Sequence, residues 1–301
     1  MRILNILDLN KSSFGGDKIL QFVTDAEGFL HTGTLIQDPT GSVFGLSHID
    51  NKLRVTSTSY TYDIAAGRIP DHSSFFKFGI NPDIGTSEET IWTEGGLYDW
   101  NSIDAAAGIV KVSSSSNNDA SGSTGALTCR IYGLSTVGLD QNELINLTGQ
   151  TPVNSILEYS RVNRIIVESA GSNNKNVGKI YAGTGNVAVG VPDIKWAVVD
   201  VGRNQTLMSV YTVPSNVNLY ITQFLVSSNS NKGNEVDMYF RPPGKVFQIK
   251  NLNYLFSNSI SYKFDFPLLL ESGTDIDCRA VGTATGASIS FSFEGWYESV
   301  T

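Results

Sequence analysis

Hydrophobic and polar residues alternate along most of this chain with the two-residue period of a half-buried β-strand. In the last such run Ile289, Phe291 and Phe293 fall on one face, and the serines between them fall on the other. Clusters of Asn, Asp, Gly, Pro and Ser separate the runs, as at residues 81–83 and 171–174. No predicted helix reaches ten residues. The pattern therefore predicts an all-β protein.

The spacing of the predicted strands divides the chain into three regions. Residues 1–70 have their clearest strand at Lys52–Asp63, and we expect a docking arm here because so short a region buries too little surface to fold comfortably alone. Residues 71–190 carry about seven short strands, which is typical of a β-sandwich. Residues 191–301 carry about eight, the number in a jelly roll. We therefore expect two antiparallel β-sandwich or jelly-roll modules preceded by a small N-terminal docking region.

The composition of the 301 residues limits the classes of partner. Charged residues make up 17% of the chain, against about 25% in average soluble proteins. The net charge of −8 disfavours nucleic acid or an anionic membrane as a partner, and no 18-residue apolar stretch predicts a membrane span. Residues 1–9 are too polar for a signal peptide, so we expect synthesis in a reducing cytosol. Cys129 and Cys278 are expected to be buried thiols, with a disulfide as the alternative.

Two sets of short segments resemble, in the order of their residues, segments of a known class of protein. The first comprises Val112–Asp119, Gly122–Gly125, Cys129–Leu134, Leu147–Val153, Arg164 and Asn176–Gly178. The second comprises Gln205–Met208, Tyr211–Pro214, Arg241–Phe247, Phe266-Pro267, Thr274–Ile276 and Arg279-Ala280. Together they resemble virion structural proteins of marine tailed bacteriophages, including those of cyanophage-like podoviruses. The resemblance covers roughly residues 70 to 301 and includes no catalytic motif.

The resemblance implies a non-enzymatic component of a phage particle. In that family, paired β-sandwich modules decorate the head or build parts of the tail and fibres. The implied location is the virion, assembled in the cytoplasm of a host bacterium, and the implied partners are other virion proteins such as the major capsid protein. We also expect a symmetric homo-oligomer, with a trimer as one candidate, because short strands with polar faces leave edges that need burial.

Candidate catalytic residues are few. His31, His48 and His72 all precede the main β modules, and the sequence has neither a Gly-x-Ser-x-Gly elbow nor zinc-ligand spacing. A glycosidase needs two acids across an aromatic-lined cleft. Acidic residues near Trp92 and Trp100 that could serve are Glu88, Glu89, Glu94 and Asp99. The alternative is a solvated loop with packed tryptophans, and we expect no catalytic residues.

Metal binding is the next candidate chemistry. Asp275 and Asp277 begin a predicted strand, so both side chains face the same side, about 6–7 Å apart. With additional loop oxygens they could bind calcium, as could the oxygen-rich residues 117–119, but neither stretch matches a calcium-loop template. The alternatives are turn formation and, for Asp275, an ion pair with Arg279 or Arg241. We expect neither a metal nor another cofactor.

Aromatic side chains are the candidates for contact with a partner. We expect Trp92, Tyr98, Trp100, Tyr60 and Tyr62 to anchor an interface with other copies or with the capsid. The same rings could instead stack on sugars, which would make the protein a host-surface carbohydrate-recognition module of a phage tail or fibre. A third alternative is packing in the core, where most aromatic residues of a sandwich lie.

Overall fold

The computed structural model describes residues 60–300 throughout and, before them, the backbone of five short strands. Contacts group the chain into two compact units, Met1–Arg68 and Ile69–Thr301. Each unit is described by itself.

The first unit contains short antiparallel strands and one helix. Its elements are β1 (Ile3–Asn5), β2 (Gln21–Val23), β3 (Leu35–Gln37), β4 (Val43–Ile49), β5 (Lys52–Val55) and α1 (Tyr60–Ala65). β1 pairs with β2, and β4 lies between β3 and β5. The rest of the predicted docking arm lies outside the described residues.

The strand predicted at Lys52–Asp63 is confirmed at Lys52–Val55 and wrong from Tyr60 onward, where the chain is helical. Gly67 ends this helix. Its φ of +67° lies in the left-handed region that glycine adopts without strain, and its N–H donates to the Ile64 carbonyl at 2.9 Å. The alternation of tyrosine and polar residues has a strand period, but a six-residue segment is too short for periodicity alone to separate helix from strand.

The second unit is almost entirely antiparallel β-structure. Its elements are β6 (His72–Ile84), β7 (Glu89–Thr90), α2 (Trp100–Ala105), β8 (Gly108–Ser114), β9 (Ala126–Ser135), β10 (Asp140–Asn146), β11 (Val153–Ala170), β12 (Ile180–Ala188), β13 (Val191–Val199), β14 (Val210–Thr212), β15 (Val217–Ser228), β16 (Asn234–Arg241), β17 (Gln248–Leu255), β18 (Ser259–Leu270), β19 (Asp275–Gly282) and β20 (Ala287–Ser299). The predicted all-β class is confirmed. Within the described residues, neither helix is long and apolar enough to cross a membrane.

Eight of these strands form a jelly roll. The front sheet has the order β18-β15-β20-β6, and the back sheet has the order β14-β19-β16-β17, with β7 also paired to β19. When the eight strands are numbered 1 to 8 along the chain, the front sheet reads 6-3-8-1 and the back sheet 2-7-4-5. This interleaved order is that of a jelly roll. The two sheets enclose a core that includes Phe224, Met238, Ile276, Phe291 and Phe293.

Residues 85–209 are inserted between the first and second strands of the jelly roll, and we call them the insert. Their main element is a six-stranded sheet of order β10-β9-β11-β8-β12-β13. The first part of β11, residues 153–159, pairs with β8, whereas residues 159–170 pair with β9. The long β11 therefore links two halves of the sheet, which surround a second core containing Ile131, Tyr159 and Trp196.

The strand pairings involve the boundary between residues 190 and 191, where the two predicted β modules are expected to meet. β12 and β13 are the two arms of one hairpin, and positions 189 and 190 form its turn. β6, which comes from the expected first module, pairs with β20 of the expected second module. The jelly roll therefore takes its first strand from the chain that precedes the insert.

Candidate functional site

The loop that follows β6 carries three of the five aromatic residues expected at an interface. Trp92, Tyr98 and Trp100 are only 4%, 4% and 5% exposed, and all three belong to the core of the insert. Their polar atoms are satisfied internally, since the Tyr98 hydroxyl donates to the Trp196 carbonyl at 2.7 Å and Trp92 Nε1 donates to the Gly95 carbonyl at 2.9 Å. Burial raises the pKa of Tyr98. In this chain the three rings pack in the core, the alternative considered above, and are not presented to a partner.

The other two expected rings lie on the surface of the first unit. Tyr60 is 49% exposed and Tyr62 is 55% exposed, both on α1. The Arg68 guanidinium lies 5.1 Å from the centre of the Tyr62 ring. A role for these two residues as interface anchors stays a prediction.

The four acidic residues weighed for glycosidase chemistry all have partners within the protein. Glu89 accepts hydrogen bonds from the backbone N–H groups of Gly85 and Gly96. Asp99 caps α2 by accepting the Ser102 N–H at 3.1 Å. These two carboxylates therefore hold the loop in its conformation.

The remaining two acids of that set form ion pairs. Glu94 lies between Lys179 and Lys195, and its Oε2 is 3.0 Å from Lys179 Nζ. Glu88 accepts from Arg279 at 3.0 Å and from the Tyr239 hydroxyl at 2.7 Å. Glu94 thus binds the loop to strands of the insert, while Glu88 binds it to the back sheet.

A cluster of buried and half-buried charges joins the insert to the back sheet. We call it the arginine–aspartate cluster, and its members are Asp104, Arg161, Arg241, Asp275, Asp277 and Arg279. Arg161 Nη2 lies 2.5 Å from Asp104 and its Nε lies 3.3 Å from Asp275. Arg241 Nη2 contacts the same two carboxylates at 3.0 and 2.6 Å. Two guanidinium groups and two carboxylates thus form a closed ring of ion pairs.

Trp100 lies against this ring of ion pairs. The guanidinium carbons of Arg161 and Arg241 are 5.4 and 5.1 Å from its ring centre, within the range of a cation–π contact. Phe247 packs beside it, with ring centres 5.4 Å apart. The tryptophan therefore anchors a contact within the chain.

Asp277 is the most deeply placed acid of the cluster. It is fully buried and accepts hydrogen bonds from Trp100 Nε1 at 2.9 Å, Arg279 Nε at 2.8 Å and the Thr90 hydroxyl at 3.0 Å. Burial raises the pKa of Asp277, and the charge of Arg279 opposes that rise. The carboxylate is held by three donors from three different segments.

Strand periodicity explains how the cluster forms. Residues 275, 277 and 279 alternate with core residues along β19, so they share the outer face of the back sheet. The register places Arg241 of β16 directly opposite Asp275. The predicted shared face of the two aspartates is confirmed. Of the two arginines considered as alternative partners of Asp275, Arg241 pairs with it, whereas Arg279 pairs with Asp277. Arg161 and Asp104 come from distant segments, and no local pattern in the sequence marks them.

Asp119 has a structural role in the insert. It is fully buried, and its carboxylate accepts from the Ser114 hydroxyl and from the N–H groups of Ala126, Val177 and Gly178 at 2.6 to 2.8 Å. Four donors from three segments meet at one side chain. Asp119 therefore anchors the loops of the insert, a role its oxygen-rich surroundings in the sequence only partly indicated.

The other candidate groups are dispersed. His72 Nδ1 lies 2.8 Å from the Pro70 carbonyl oxygen, only the backbone of His48 is described, and His31 lies outside the described residues. Cys129 and Cys278 are free and buried as expected, and burial raises the pKa of Cys129 to about 12. Within residues 60–300, no three His, Cys, Asp or Glu side chains are placed to hold a metal ion.

These features define a class: an all-β protein with a jelly roll and an inserted β module joined by buried ion pairs. No protein family model and no curated protein matches this chain. Among solved structures, that of infectious bursal disease virus Gt strain shares 10% identity over 81% of this chain and 82% of the other, with a TM-score of 0.17. The structures of the Gx strain and of a VP2 subviral particle share 12% and 13% identity over 76% of this chain and 77% of theirs, both with TM-scores of 0.16. Scores this low carry no argument about function.

Proposed function

We propose that the protein is a non-enzymatic structural component of a bacteriophage virion. In this proposal it assembles as a homo-oligomer, either as a decoration or cement protein on the capsid or as a part of the tail or fibre. The supporting observation is that the arginine–aspartate cluster joins two β modules with charges that are paired within the chain. Charges paired in this way hold the two β modules together. A component of a particle needs a stable shape and does not need a reactive group.

The acidic residues of the loop support the same proposal. Glu88, Glu89, Glu94 and Asp99 bind backbone N–H groups or cationic side chains of the protein itself. These contacts give each of the four carboxylates a structural role, which is the role the proposal assigns to them. The sequence resemblance to phage virion proteins gives the proposal its biological setting.

Particles purified on a density gradient from a lysate of the native host would test the proposal. Quantitative mass spectrometry should find this chain in the particle fraction at a fixed ratio to the most abundant particle protein. Recombinant chain mixed into a lysate that lacks the gene serves as the control for adhesion. A chain that stays in the soluble fractions would overturn the proposal.

A host-surface carbohydrate-recognition role is the second candidate, and the outer face of the front sheet favours it. A groove of about 390 Å³ on this face is lined in part by Phe76, Phe78 and Ser292. The rings of Phe76 and Phe78 lie with their centres 5.5 Å apart. Flat aromatic surfaces beside hydroxyl groups suit sugar rings, which present apolar C–H faces and polar edges.

Glycan-array binding distinguishes this second candidate from the first. Phe76→Ser, on the exposed part of the groove, should abolish retention of a bound glycan and leave the native mass unchanged. Leu97→Ser, with a similarly exposed side chain elsewhere, is the control. Absence of binding to every host-derived glycan would remove the candidate.

A further inference from the structure

Exposed apolar side chains concentrate on one part of the jelly roll. Of the 22 large apolar side chains that are exposed in the described residues, eight lie between positions 246 and 269. They are Val246, Ile249, Leu252, Tyr254, Phe256, Tyr262, Phe266 and Leu269. Isolated exposed apolar residues are normal on a protein surface, whereas a concentration of this kind marks an interaction site.

The concentration coincides with two sheet edges that have no further strand paired to them among the described residues. β17 ends the back sheet and β18 ends the front sheet, and a three-residue connection, residues 256–258, joins them. Both edge strands therefore lie on the same side of the jelly roll. An edge strand exposes a row of unpaired N–H and C=O groups, so this side offers backbone hydrogen bonds as well as apolar surface.

A bulge in β18 exposes its central segment further. Lys263 pairs with Gln223 of β15 and Leu268 pairs with Ile221, so residues 264–267 have only Thr222 opposite them. Four residues against one force the segment away from the neighbouring strand. Phe266, at the centre of this bulge, is 87% exposed.

The charges around the bulge are self-complementary. Consider two copies of β18 paired antiparallel, with the two-fold axis between the two copies of Phe264. In this register Lys263 of each copy faces Asp265 of the other. The same register sets Tyr262 opposite Phe266. Neither Lys263 nor Asp265 forms an ion pair in the described part of the chain. Lys at an edge usually discourages pairing, but an Asp at the matching position reverses that effect for a second copy.

The exposed area fits a weak, reversible contact. Phe256, Tyr262 and Phe266 are 64%, 48% and 87% exposed. Because an aromatic side chain has about 150–250 Å² of surface, the three expose about 400 Å² in each copy. Two copies would bury about 800 Å² from these rings alone, to which the backbone and other side chains of β18 add, and interfaces below about 1,200 Å² are those of weak or transient complexes.

We propose that β18 and the connection to β17 form a self-association surface for a second copy of this chain. The β18 strands of the two copies pair antiparallel, and the two-fold axis passes between the two copies of Phe264. The ion pairs Lys263–Asp265 and the rings of Phe256, Tyr262 and Phe266 make the contact. This inference rests on the homo-oligomeric assembly proposed above and assigns one of its interfaces.

Charge reversal tests the register directly. Sedimentation velocity across a dilution series gives the dissociation constant of the wild-type association. Lys263→Asp places two acids opposite each other and should weaken association at least tenfold. The double variant Lys263→Asp with Asp265→Lys restores opposite charges and should return the constant to within threefold of wild type. Phe266→Ser should weaken association, whereas Ile156→Ser, an 85% exposed side chain on β11, is the matched control and should not.

The outcomes separate the two proposals. If the wild type associates but Lys263→Asp and Phe266→Ser associate equally well, this surface is wrong and the homo-oligomer uses another. If the double variant stays as weak as Lys263→Asp, the antiparallel register is wrong. A wild type that remains monomeric at every concentration overturns both this inference and the homo-oligomeric part of the proposed function, while incorporation into particles is decided by the gradient experiment.

Discussion

A buried lysine makes the stability of this protein depend on pH in a predictable way. Lys77, in β6, is 8% exposed, and its Nζ donates to the Asn163 carbonyl oxygen of β11 at 2.5 Å. Burial lowers the pKa of Lys77 from 10.5 to about 7; the like charge of Arg164 adds to the effect and Cys278 opposes it. The Nζ also lies 5.9 Å from the centre of the Tyr211 ring. The folded protein therefore holds this amine neutral over a pH range in which an unfolded chain protonates it.

The sign of the effect follows from linkage. Above pH 10.5 the amine is neutral in both states and has no effect on stability. As the pH falls from 10.5 to about 7, the unfolded state binds a proton that the folded state does not, and folding loses about 1.4 kcal/mol per pH unit. The accumulated loss is about 4 kcal/mol at pH 7, and below that value it stays nearly constant because both states are protonated.

Lys77→Met removes this pH dependence while keeping the length of the side chain. It also removes the donor to the Asn163 carbonyl, at a cost of about 1–3 kcal/mol. The variant should therefore be more stable than wild type by about 1–3 kcal/mol at pH 7, and the advantage should vanish near pH 9. Urea unfolding at pH 7, 8 and 9 gives both free energies.

The pH dependence of the difference in unfolding free energy between the two proteins tests whether the buried amine is neutral. The free energy of unfolding of wild type minus that of Lys77→Met should rise by about 1 kcal/mol from pH 7 to 8 and by about 1.3 kcal/mol from pH 8 to 9, since the folded amine is still partly protonated near pH 7. Lys245→Met, at an exposed lysine outside the proposed self-association surface, is the control and should give a flat difference. A flat difference for Lys77→Met as well would refute the buried neutral amine.

Three further changes test the other buried groups. Asp119→Ala removes the acceptor of four hydrogen bonds and should lower the free energy of urea unfolding by about 3 kcal/mol or more, whereas Asn118→Ala, on the exposed neighbour, should change it by less than about 1 kcal/mol. Asp275→Asn should lower the free energy of unfolding by about 1–3 kcal/mol because it leaves Arg161 and Arg241 with Asp104 as their only shared carboxylate; unchanged stability would mean that the cluster carries no net interaction. Cys129 and Cys278 should react with a thiol reagent only after unfolding, since burial raises the pKa of both, and rapid labelling of the native protein would contradict their placement.

The class of fold was predictable because strand periodicity is a local property. Alternation along residues 287–296 marks β20 correctly, and turn clusters mark most strand ends. Residues 191–301 carry the expected eight strands, but only seven of them belong to the jelly roll. β13 belongs to the insert, and the first strand of the jelly roll is β6. A period of two identifies a strand but carries no information about which sheet it joins.

The site was less predictable because it depends on contacts between distant residues. The shared face of Asp275 and Asp277 follows from local geometry. Arg161, which pairs with Asp275, lies 114 residues away in the sequence, and Asp104, which completes the ring through Arg161 and Arg241, is marked by no local pattern. Trp100 also looked like a surface aromatic, since Asp99 and the polar residues near it suggested a solvated loop. In the structure Asp99 caps α2, and that short helix buries the tryptophan.

The arginine–aspartate cluster bears on how the insert is oriented on the jelly roll. The insert is joined to the jelly roll at both of its ends, and two such connections still leave rotation about the line between them. Contacts away from this line oppose that rotation, because Arg161 of the insert reaches Asp275 of β19 and Lys77 of β6 reaches Asn163 of the insert. A rotation of the insert would break the Arg161–Asp275 and Arg241–Asp104 ion pairs, which are two of the four contacts in the ring, and would leave Arg161 with Asp104 and Arg241 with Asp275. Apolar packing alone is less directional than this. The ion pairs thus favour one orientation, and a fixed relation between insert and edge strands is what symmetric contacts between copies require.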